Sequence, residues 1–452
     1  MSDTIAAVST GTQVCAIGIV RMSGGKAIEI ADRLFSPVSG RKMADCEDRK
    51  LIYGKLCDEQ GRLLDICLCT ISRAPNSYTG EDTAEFQCHG SPVVLRAVLE
   101  AAFSLGARQA LPGEFTKRAF LNGRMDLSGA EAVADIIDAE TAEAARNAAG
   151  QLGGAISRKI DAVYDTLTDI SSHYHAVLDY PDEDIEDFTL ARYESDIERC
   201  TAVLESLRAS YDSGKLLHSG VPAAIVGRPN AGKSSLLNAV LGYDRAIVTD
   251  IPGTTRDTIE EKLRLGGVLL RLTDTAGIRE TNDEIERMGV TRSRRAMEQA
   301  DLVLAVIDGH REITCKDLEL IKCAERAPHG IVILSKHDLG SLSKMPETTL
   351  PVIEISSVTG EGLDKLEDTV RALFPMPVAP AGEILTNARQ FDAVSRALES
   401  MKAAGGAMRS GCTPDIVLTE TETAMAALGE LTGRTVREEV TNRIFERFCV
   451  GK

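Results

Sequence analysis

Eight residues in the middle of the chain have the types and the spacing that bind phosphate. Residues 227–234 read GRPNAGKS; they follow an apolar run at 223–226 and precede SLLN, which is typical of a helix start. In such a strand–loop–helix unit, glycines let backbone N–H groups wrap around a phosphate, and the helix N-terminus adds its dipole. We expect Lys233 to reach the β- and γ-phosphates and Ser234 to ligate Mg²⁺. The residues assigned here are Asn230, Ala231, Gly232, Lys233, Ser234 and Ser235.

Three further segments narrow the ligand to a guanine nucleotide. They are Asp274, Thr275, Ala276 and Gly277; Ser335, Lys336, His337 and Asp338; and Ser356, Ser357 and Val358. The first would place an acid beside Mg²⁺ and a glycine N–H at the γ-phosphate. In the second, a buried Asp338 carboxylate would accept the ring N–H and the amino group of guanine and reject adenine. Asn is usual where Ser335 stands, so we expect this serine to affect affinity and not the choice of base.

One loop between the phosphate segment and Asp274 is predicted to respond to the γ-phosphate. It contains Thr249, Asp250, Ile251, Pro252, Gly253, Thr254 and Thr255, and Thr255 is the expected Mg²⁺ ligand. Many GTPases have Gln after the Asp-x-x-Gly segment to orient water, but this chain has Ile278, which cannot. Asn230 could instead help to hold a monovalent cation, and Glu286 could orient water. From the residues alone, a solvated helix acid is the commoner role for Glu286.

The apolar patterns predict how these segments are positioned. Short apolar runs at 223–226, 268–272, 302–307, 331–334 and 352–355 alternate mostly with helical segments, which is typical of a mostly parallel sheet with crossover helices. Helical patterns lie before this unit, at 126–149, 156–178 and 190–213, and after it, at 387–405 and 416–429. We therefore expect the α/β unit to be inserted into one discontinuous helical domain. Residues 1–118 read as a separate α+β domain.

Composition limits the class of protein. The 452 residues include 68 acidic and 51 basic side chains, a net charge of −17, so binding of a polyanion would need a local basic patch or a basic partner. The 11 cysteines contain no C-x-x-C pair, which favours reduced thiols over a zinc ribbon. Cys67 and Cys69 should point to one face of a strand. Without a signal-like start or an apolar run of about 20 residues, we expect a soluble, cytoplasmic protein.

Several segments outside the nucleotide motifs resemble the MnmE (TrmE) family, tRNA modification GTPases that act on the wobble uridine. They are GIVRMSG at 18–24, SYTGED at 77–82, CHG at 88–90, PGEFT at 112–116, RAFLNGRMDL at 118–127, LTNAR at 385–389 and the terminal FCVGK at 448–452. The resemblance covers nearly the whole chain. It implies a folate-binding-like dimerisation domain at 1–118, a helical domain at 119–218 and 377–452, and a Ras-like P-loop GTPase domain at 219–376.

The resemblance also implies ligands and partners. Arg21, Glu81, Arg124 and Lys452 would contact 5-formyl- or 5,10-methylene-tetrahydrofolate. Cys449, with Arg447 and Lys452 close in sequence, is a candidate nucleophile near the folate, and an inert thiol on a docked tail is the alternative. Potassium would be held by Asn230, Thr249, Ile251 and Thr254, with Glu286 as the acid that orients water. The chain would form a homodimer and a heterotetramer with the FAD-binding MnmG (GidA) protein. Together they would add an aminomethyl or carboxymethylaminomethyl group at C5 of tRNA uridine 34.

Two other classes of function stay open on the residues alone. One is a regulatory GTPase switch for ribosome assembly or stress, which would leave tRNA unmodified. The other is a metabolic folate transferase with a fused regulator, which would turn over folate without tRNA. The N-terminal segments and the cysteine-containing tail favour the modification enzyme over the switch.

Overall fold

The N-terminal part of the chain is a seven-stranded sheet covered by helices. The structure is a computed structural model that describes residues 3–11, 13–179, 190–243, 261–272, 299–340, 347–375, 380–435, 441, 444–446 and 448–451. The first elements are β1 (Ile5–Val8), β2 (Ile17–Ser23), α1 (Ala27–Leu34), β3 (Phe35–Pro37), β4 (Ile52–Cys57), β5 (Leu63–Ser72), β6 (Thr83–His89), α2 (Pro92–Ser104), β7 (Arg108–Gln109) and α3 (Glu114–Leu121). The strand order is β3-β4-β5-β6-β2-β1-β7, and β1 with β7 is the one parallel pair.

Alternation along the central strands of this sheet separates a main core from a smaller one. Val20 and Phe86 point to the face covered by α1 and α2, together with Cys67 and Cys69. The two cysteines therefore share a face, as predicted. On the opposite face, Phe115 of α3 packs in a small cluster with three residues of β1 and of the segment after β7.

Helices from two separate stretches of the chain build one helical core. The elements are α4 (Leu127–Asp138), α5 (Ala142–Leu152), α6 (Ala155–Asp179), α7 (Leu190–Ala209) and α8 (Tyr211–Ser219), and after the second sheet α12 (Ala388–Arg409) and α13 (Pro414–Thr432). Buried side chains of α6, α7, α12 and α13 form one cluster that includes Leu167, Leu204, Met401 and Leu428. The single helical run expected at 126–149 is two helices, because Thr141 caps α5 by accepting a hydrogen bond from Ala144 N at 3.1 Å.

The segment that follows the second sheet returns to the first helical segment. Ile384 O accepts hydrogen bonds from Asn147 Nδ2 at 3.1 Å and from Gln151 Nε2 at 2.6 Å. The Ser210 hydroxyl, between α7 and α8, accepts from Leu385 N at 3.0 Å. The chain thus leaves this domain after α8 and re-enters it beside α5 and α8. The boundary predicted at residue 118 falls inside α3; the other domain limits stay predictions.

The second sheet has six strands and is mostly parallel. Its elements are β8 (Val221–Gly227), α9 (Lys233–Tyr243), β9 (Glu261–Leu265), β10 (Val268–Leu272), β11 (Leu302–Asp308), α10 (Cys315–Arg326), β12 (His329–Ser335), β13 (Val352–Glu354) and α11 (Leu363–Leu373). The order is β13-β12-β11-β8-β10-β9, with only the β9–β10 pair antiparallel. Helices α9 and α11 cover one face and α10 the other. The predicted parallel runs are confirmed as β8, β10, β11, β12 and β13.

A helix that spans a membrane needs about 20 predominantly apolar residues. None of the helices in the described part of the chain combines enough length with enough apolar character to span a bilayer.

Candidate functional site

The phosphate loop connects β8 to α9 in a conformation that requires small residues. A Cβ on Gly227 would lie 2.5 Å from Val306 O on the neighbouring strand, so the sheet and the loop approach too closely for a side chain. Gly232 has φ +99° and Asn230 has φ +63°, both in the left-handed region. The backbone therefore turns sharply just before the N-terminus of α9. This is the geometry in which successive N–H groups converge on an anion.

Lys233 lies at the start of α9, directed back over the loop. Its Nζ donates to Gly227 O at 2.8 Å and to Arg228 O at 3.0 Å. Burial lowers the pKa of the Lys233 ammonium, because desolvation disfavours the charged form. Ser234 and Ser235 follow in the first turn and are exposed. The loop thus provides a partly desolvated cation and a hydroxyl at the end of the helix that attracts phosphate.

Ser335 joins the phosphate loop to the predicted base-recognition loop. Its buried hydroxyl lies 2.5 Å from Ala231 O and 3.1 Å from Ile307 O. Serine thus supplies a donor to the phosphate loop where an asparagine is usual. The Ser335 side chain also contacts the loop at Gly232, where an added Cβ would lie 3.2 Å from Ser335 Cβ.

The base-recognition loop itself is fixed from two sides. Lys336 adopts a left-handed conformation with φ +62° and donates to Asp308 Oδ2 at 2.6 Å. Asp338 Oδ1 accepts a hydrogen bond from Ser356 Oγ at 2.7 Å, so the loop after β13 orients this carboxylate. Asp338 is exposed, and the prediction of a buried carboxylate is wrong for the structure as described. An exposed, oriented carboxylate is open to a planar ligand with two adjacent donors.

The remaining residues of the predicted guanine site differ in their contacts and exposure, and some lie outside the described residues. His337 N donates to Ile355 O at 3.2 Å, which joins the loops after β12 and β13, whereas Val358 points into solvent with 86% of its surface exposed. Several predicted site residues lie outside the described residues: Thr249, Asp250, Ile251, Pro252, Gly253, Thr254, Thr255, Asp274, Thr275, Ala276, Gly277, Glu286 and Lys452.

A second candidate site surrounds the loop at 77–82 in the N-terminal domain. The Arg21 guanidinium lies 5.4 Å from the Tyr78 ring centroid, and its Nε donates to Glu85 Oε1 at 2.7 Å. Glu81 Oε2 accepts from Ser23 Oγ at 2.7 Å. At Gly80, a Cβ would lie 3.3 Å from Arg124 Cγ. The structure therefore brings Arg21, Glu81 and Arg124 around one loop, although Arg21 and Arg124 are more than 100 residues apart in sequence.

The C-terminal tail docks on the same domain. Val450 forms an antiparallel bridge with Pro112, and Gly113 N donates to Cys449 O at 3.3 Å. Gly451 O accepts from Ser9 Oγ at 2.9 Å, and a Cβ on Gly451 would lie 2.2 Å from Val8 O. The tail is held by backbone contacts while Cys449 itself is exposed. It lies beside the start of α3, whose Phe115 ring centroid is 5.7 Å from Arg21.

Two models of known protein families match this chain. A family model described as the MnmE helical domain matches residues 127–449, and one described as the N-terminus of the GTP-binding protein TrmE matches residues 4–124. The chain belongs to the MnmE family. A relative from Roseiflexus sp. (strain RS-1), named tRNA modification GTPase MnmE, is 42% identical over 464 residues, covering 100% of this chain and 99% of the relative. One from Clostridioides difficile (strain 630) with the same name is 40% identical over 460 residues, covering 100% of both.

Among solved structures, a crystal structure of Era with MgGDPNP and nucleotides of 16S ribosomal RNA is 28% identical to this chain. It covers 40% of this chain and 66% of its own, at a TM-score of 0.27. So low a score adds nothing to the fold described above.

An ionic network behind the second site of this MnmE-family chain was missed from sequence. Arg118 donates to Glu81 Oε2 at 2.9 Å, to Glu114 Oε1 at 3.0 Å and to Asp3 Oδ1 at 2.7 Å. Arg108 makes a two-pronged contact with Glu114 at 2.8 and 2.6 Å. Burial acts to raise the pKa of Glu114, but the hydrogen bonds from Arg108, Leu111 N and Arg118 outweigh it and lower that pKa. Only the motif at 118–127 pointed to Arg118, and nothing local pointed to Asp3.

Proposed function

We propose that the chain couples GTP hydrolysis to modification of the wobble uridine of tRNA, as a subunit that works with an FAD-dependent partner. As a member of the MnmE family it is a GTPase of tRNA modification, and it binds GTP or GDP with Mg²⁺. The finer proposal is that it helps to add an aminomethyl or carboxymethylaminomethyl group at C5 of uridine 34. A tetrahydrofolate would supply the one-carbon unit, and MnmG (GidA) would supply the flavin.

The contact between Asp338 and Ser356 carries the nucleotide part of the proposal. Ser356 Oγ donates to one carboxylate oxygen of Asp338 at 2.7 Å, which sets the orientation of the carboxylate at the sheet edge. Guanine presents a ring N–H and an amino group side by side, and a fixed carboxylate accepts both. Through Ser335 the same loop is bonded to the phosphate loop, so base and phosphate recognition are set at a fixed separation.

The phosphate end of the site is suited to a magnesium nucleotide. Lys233 would exchange its two backbone carbonyl partners for phosphate oxygens, and the exposed Ser234 hydroxyl would ligate a hard cation. When bound, Mg²⁺ neutralises charge on the phosphates. Asn230, exposed on the left-handed turn of the loop, is the proposed protein ligand for K⁺ within the described residues. Thr255 for Mg²⁺, Thr249, Ile251 and Thr254 for K⁺, and Glu286 for water remain proposals from sequence.

The second site is proposed to bind the folate. Its residues Arg21 and Arg124 offer cations for the glutamate carboxylates or carbonyl groups of such a ligand. Glu81 offers a fixed acceptor for the N–H and amino groups at the edge of the pterin ring. The docked tail brings Cys449 to the same domain, and Lys452 remains a proposal from sequence. A folate supplies a carbon at the oxidation level of formaldehyde or formate. We propose that Cys449 acts close to that carbon, and that the domain dimerises.

The overall charge supports a division of labour with the partner. With a net charge of −17, the chain repels the tRNA backbone at long range. We therefore propose that the FAD-binding partner supplies most of the tRNA affinity, and that the assembly acts in the cytoplasm.

Replacing Asp338 tests this function at its centre. Asp338→Asn should lower GTP affinity at least ~100-fold and favour xanthosine triphosphate, because the amide offers a donor where guanine also has one. Cells in which this variant replaces the natural protein should lose most of the modification of uridine 34, as measured by mass spectrometry of purified tRNA. Asp368→Asn, an exposed acid on α11 of the same domain, is the matched control and should change neither quantity.

Two results would contradict the proposal at different levels. Equal affinity for ATP and GTP in the unaltered protein would remove the guanine site. Normal uridine 34 in cells lacking the gene would leave a GTPase without this modification role.

A further inference from the structure

One group of metal-ligating side chains lies away from both sites described above. Among the residues that the structure describes, Asp65, Cys67 and Cys88 place a carboxylate oxygen and two sulfur atoms all within 4.8 Å of one another. The group is at one end of the N-terminal sheet, where β5 begins and β6 ends. Neither the nucleotide site nor the second candidate site, around residues 77–82, uses these side chains.

The two thiols meet because of the strand register. Strands β5 and β6 are antiparallel, with Leu68 opposite Gln87 and Cys69 opposite Phe86. One step further along the same register sets Cys67 opposite Cys88. Residues opposite each other in an antiparallel pair have Cβ atoms about 4.5–5.5 Å apart. Cys67 is 5% exposed and Cys88 2% exposed, so both sulfur atoms face the buried side of the sheet.

Asp65 is the third ligand, and it is already oriented. It lies two residues before Cys67 on the same strand and therefore on the same face. Its Oδ2 accepts from His89 N at 2.8 Å, and its Oδ1 lies 2.8 Å from His89 Nδ1. Carboxylates that ligate metals are commonly held by hydrogen bonds of this kind from an outer partner. The exposed imidazole of His89 thus ties the carboxylate to β6 at the solvent side of the cluster.

We propose that Asp65, Cys67 and Cys88 bind a zinc-like divalent cation that joins β5 to β6. Two sulfurs and one carboxylate oxygen select a borderline-soft ion such as Zn²⁺ over Mg²⁺ or Ca²⁺, which prefer oxygen alone. Both thiols bind as thiolates and release their protons to solvent, and a water completes four-coordination. The site extends the chemistry of the N-terminal domain and is independent of the proposed wobble-uridine function. His89 is a positioning residue that acts through Asp65.

Zinc binding by the full-length, tag-free protein tests the proposal. The protein is treated with a chelator under reducing conditions, and Zn²⁺ is titrated against a chromophoric competitor. We expect one tight equivalent in the unaltered protein, which is lost in Cys67→Ser and in Cys88→Ser. Cys69→Ser is the matched control, because Cys69 is equally buried on the same face of β5 but does not belong to the cluster. It should retain the tight equivalent.

Two further variants test zinc binding in case the cysteine variants misfold. Asp65→Asn and His89→Ala change half-buried and exposed positions, and each should weaken zinc binding by about 10–100-fold while GTP affinity stays unchanged. Substituting Co²⁺ should produce thiolate-to-cobalt charge-transfer absorption that is absent from Cys67→Ser. Equal zinc binding by Cys67→Ser and Cys69→Ser would overturn the proposal, and so would the absence of any tight equivalent in the unaltered protein.

Discussion

The nucleotide site and the second candidate site, around the loop at 77–82, are assembled over different distances along the chain. At the nucleotide site, the groups predicted to touch the ligand follow directly on β8, β12 and β13, and parallel pairing brings those strand ends to one sheet edge. At the second candidate site, Arg21, Glu81 and Arg124 converge only once the sheet is folded. The tail, from the far end of the chain, docks on the same domain beside Pro112 and Gly113.

The two regions also differ in what holds them rigid. Around the phosphate loop, backbone conformation and single hydrogen bonds to carbonyl oxygens fix the geometry, as at Gly232 and Ser335. Around Glu81, an ionic network does so, centred on the buried Arg118 and Glu114. We infer that damage to the first region should reduce ligand affinity with little loss of stability. Damage to the second should reduce the stability of the domain first.

Removing Arg118 should therefore have the largest effect. Arg118→Ala removes the buried cation that bonds Glu81 and Glu114, while Glu114 keeps its contact with Arg108. Removing one member of a buried ion pair costs about 3–5 kcal/mol, and the remaining Arg108 contact places the expected loss at the lower end of that range. This loss of stability should appear as reduced protection of the β2 and β6 amides in hydrogen exchange, followed by mass spectrometry. Arg146→Ala, which breaks an exposed pair on α5, should cost under about 0.5 kcal/mol.

The comparison predicts a second result for the same variant. GTP affinity of Arg118→Ala should be unchanged at a temperature where the protein remains folded. A parallel loss of GTP affinity would mean that the two regions are not independent.

At the phosphate loop, Gly232→Ala should have the next largest effect. An alanine at φ +99° is strained, and its Cβ would lie 3.2 Å from the Ser335 side chain. We expect GTP affinity to fall about 100-fold, which corresponds to about 2.7 kcal/mol. The matched control is Gly242→Ala on α9, where an added Cβ meets nothing within 4 Å among the described residues. That change should leave affinity unaltered and stabilise the helix by up to about 1 kcal/mol.

Sequence patterns predicted the local features well. Five apolar runs became β8, β10, β11, β12 and β13, and the phosphate motif lies on the loop between β8 and α9. Strand β6 was missed although its signal is present. Ala84, Phe86 and Cys88 alternate with Glu85 and Gln87, and the first three are buried. The antiparallel β9 was also missed. Its apolar residues are only Leu263 and Leu265, and the charged Arg264 lies between them.

Other features could not be predicted locally. The contact between Asp3 and Arg118 joins residues 115 positions apart, and no periodicity encodes it. The exposure of Asp338 likewise depends on how the loops after β12 and β13 meet. The thiol cluster needed the β5–β6 register, which composition and spacing do not give. Long-range polar contacts are therefore where the sequence was least informative.

Ser335→Ala should have a smaller effect on the nucleotide site. It removes a buried donor that lies within bonding distance of Ala231 O and Ile307 O, and a net hydrogen bond of this kind is worth about 1–1.5 kcal/mol. GTP affinity should fall about tenfold, measured by competition with a fluorescent GDP analogue. Thr369→Ala removes an exposed hydroxyl of α11 that bonds within its own helix, so it serves as the control. An unchanged affinity would mean that the link between the two loops does not position the phosphate loop.

The smallest expected effect concerns pH and the N-terminal network. The hydrogen bonds to Glu114 lower its pKa in the folded protein below that of the unfolded chain, so the unfolded chain binds the proton more tightly. This contribution to the free energy of unfolding is complete above the unfolded pKa and is lost as the pH falls through the folded pKa. Glu114→Gln should therefore be less stable than the unaltered protein at neutral pH. The gap should narrow in acid by an amount on the order of 1 kcal/mol.

Hydrogen exchange of β2 and β6, with both proteins compared at the same pH, measures the gap free of the intrinsic pH dependence of exchange. Glu399→Gln, an exposed acid on α12, controls for general charge effects. If the gap stayed constant from pH 7 to pH 4, Glu114 would stabilise the domain by packing and hydrogen bonding alone. The ionic network would then no longer distinguish this region from the nucleotide site, where backbone geometry sets the structure.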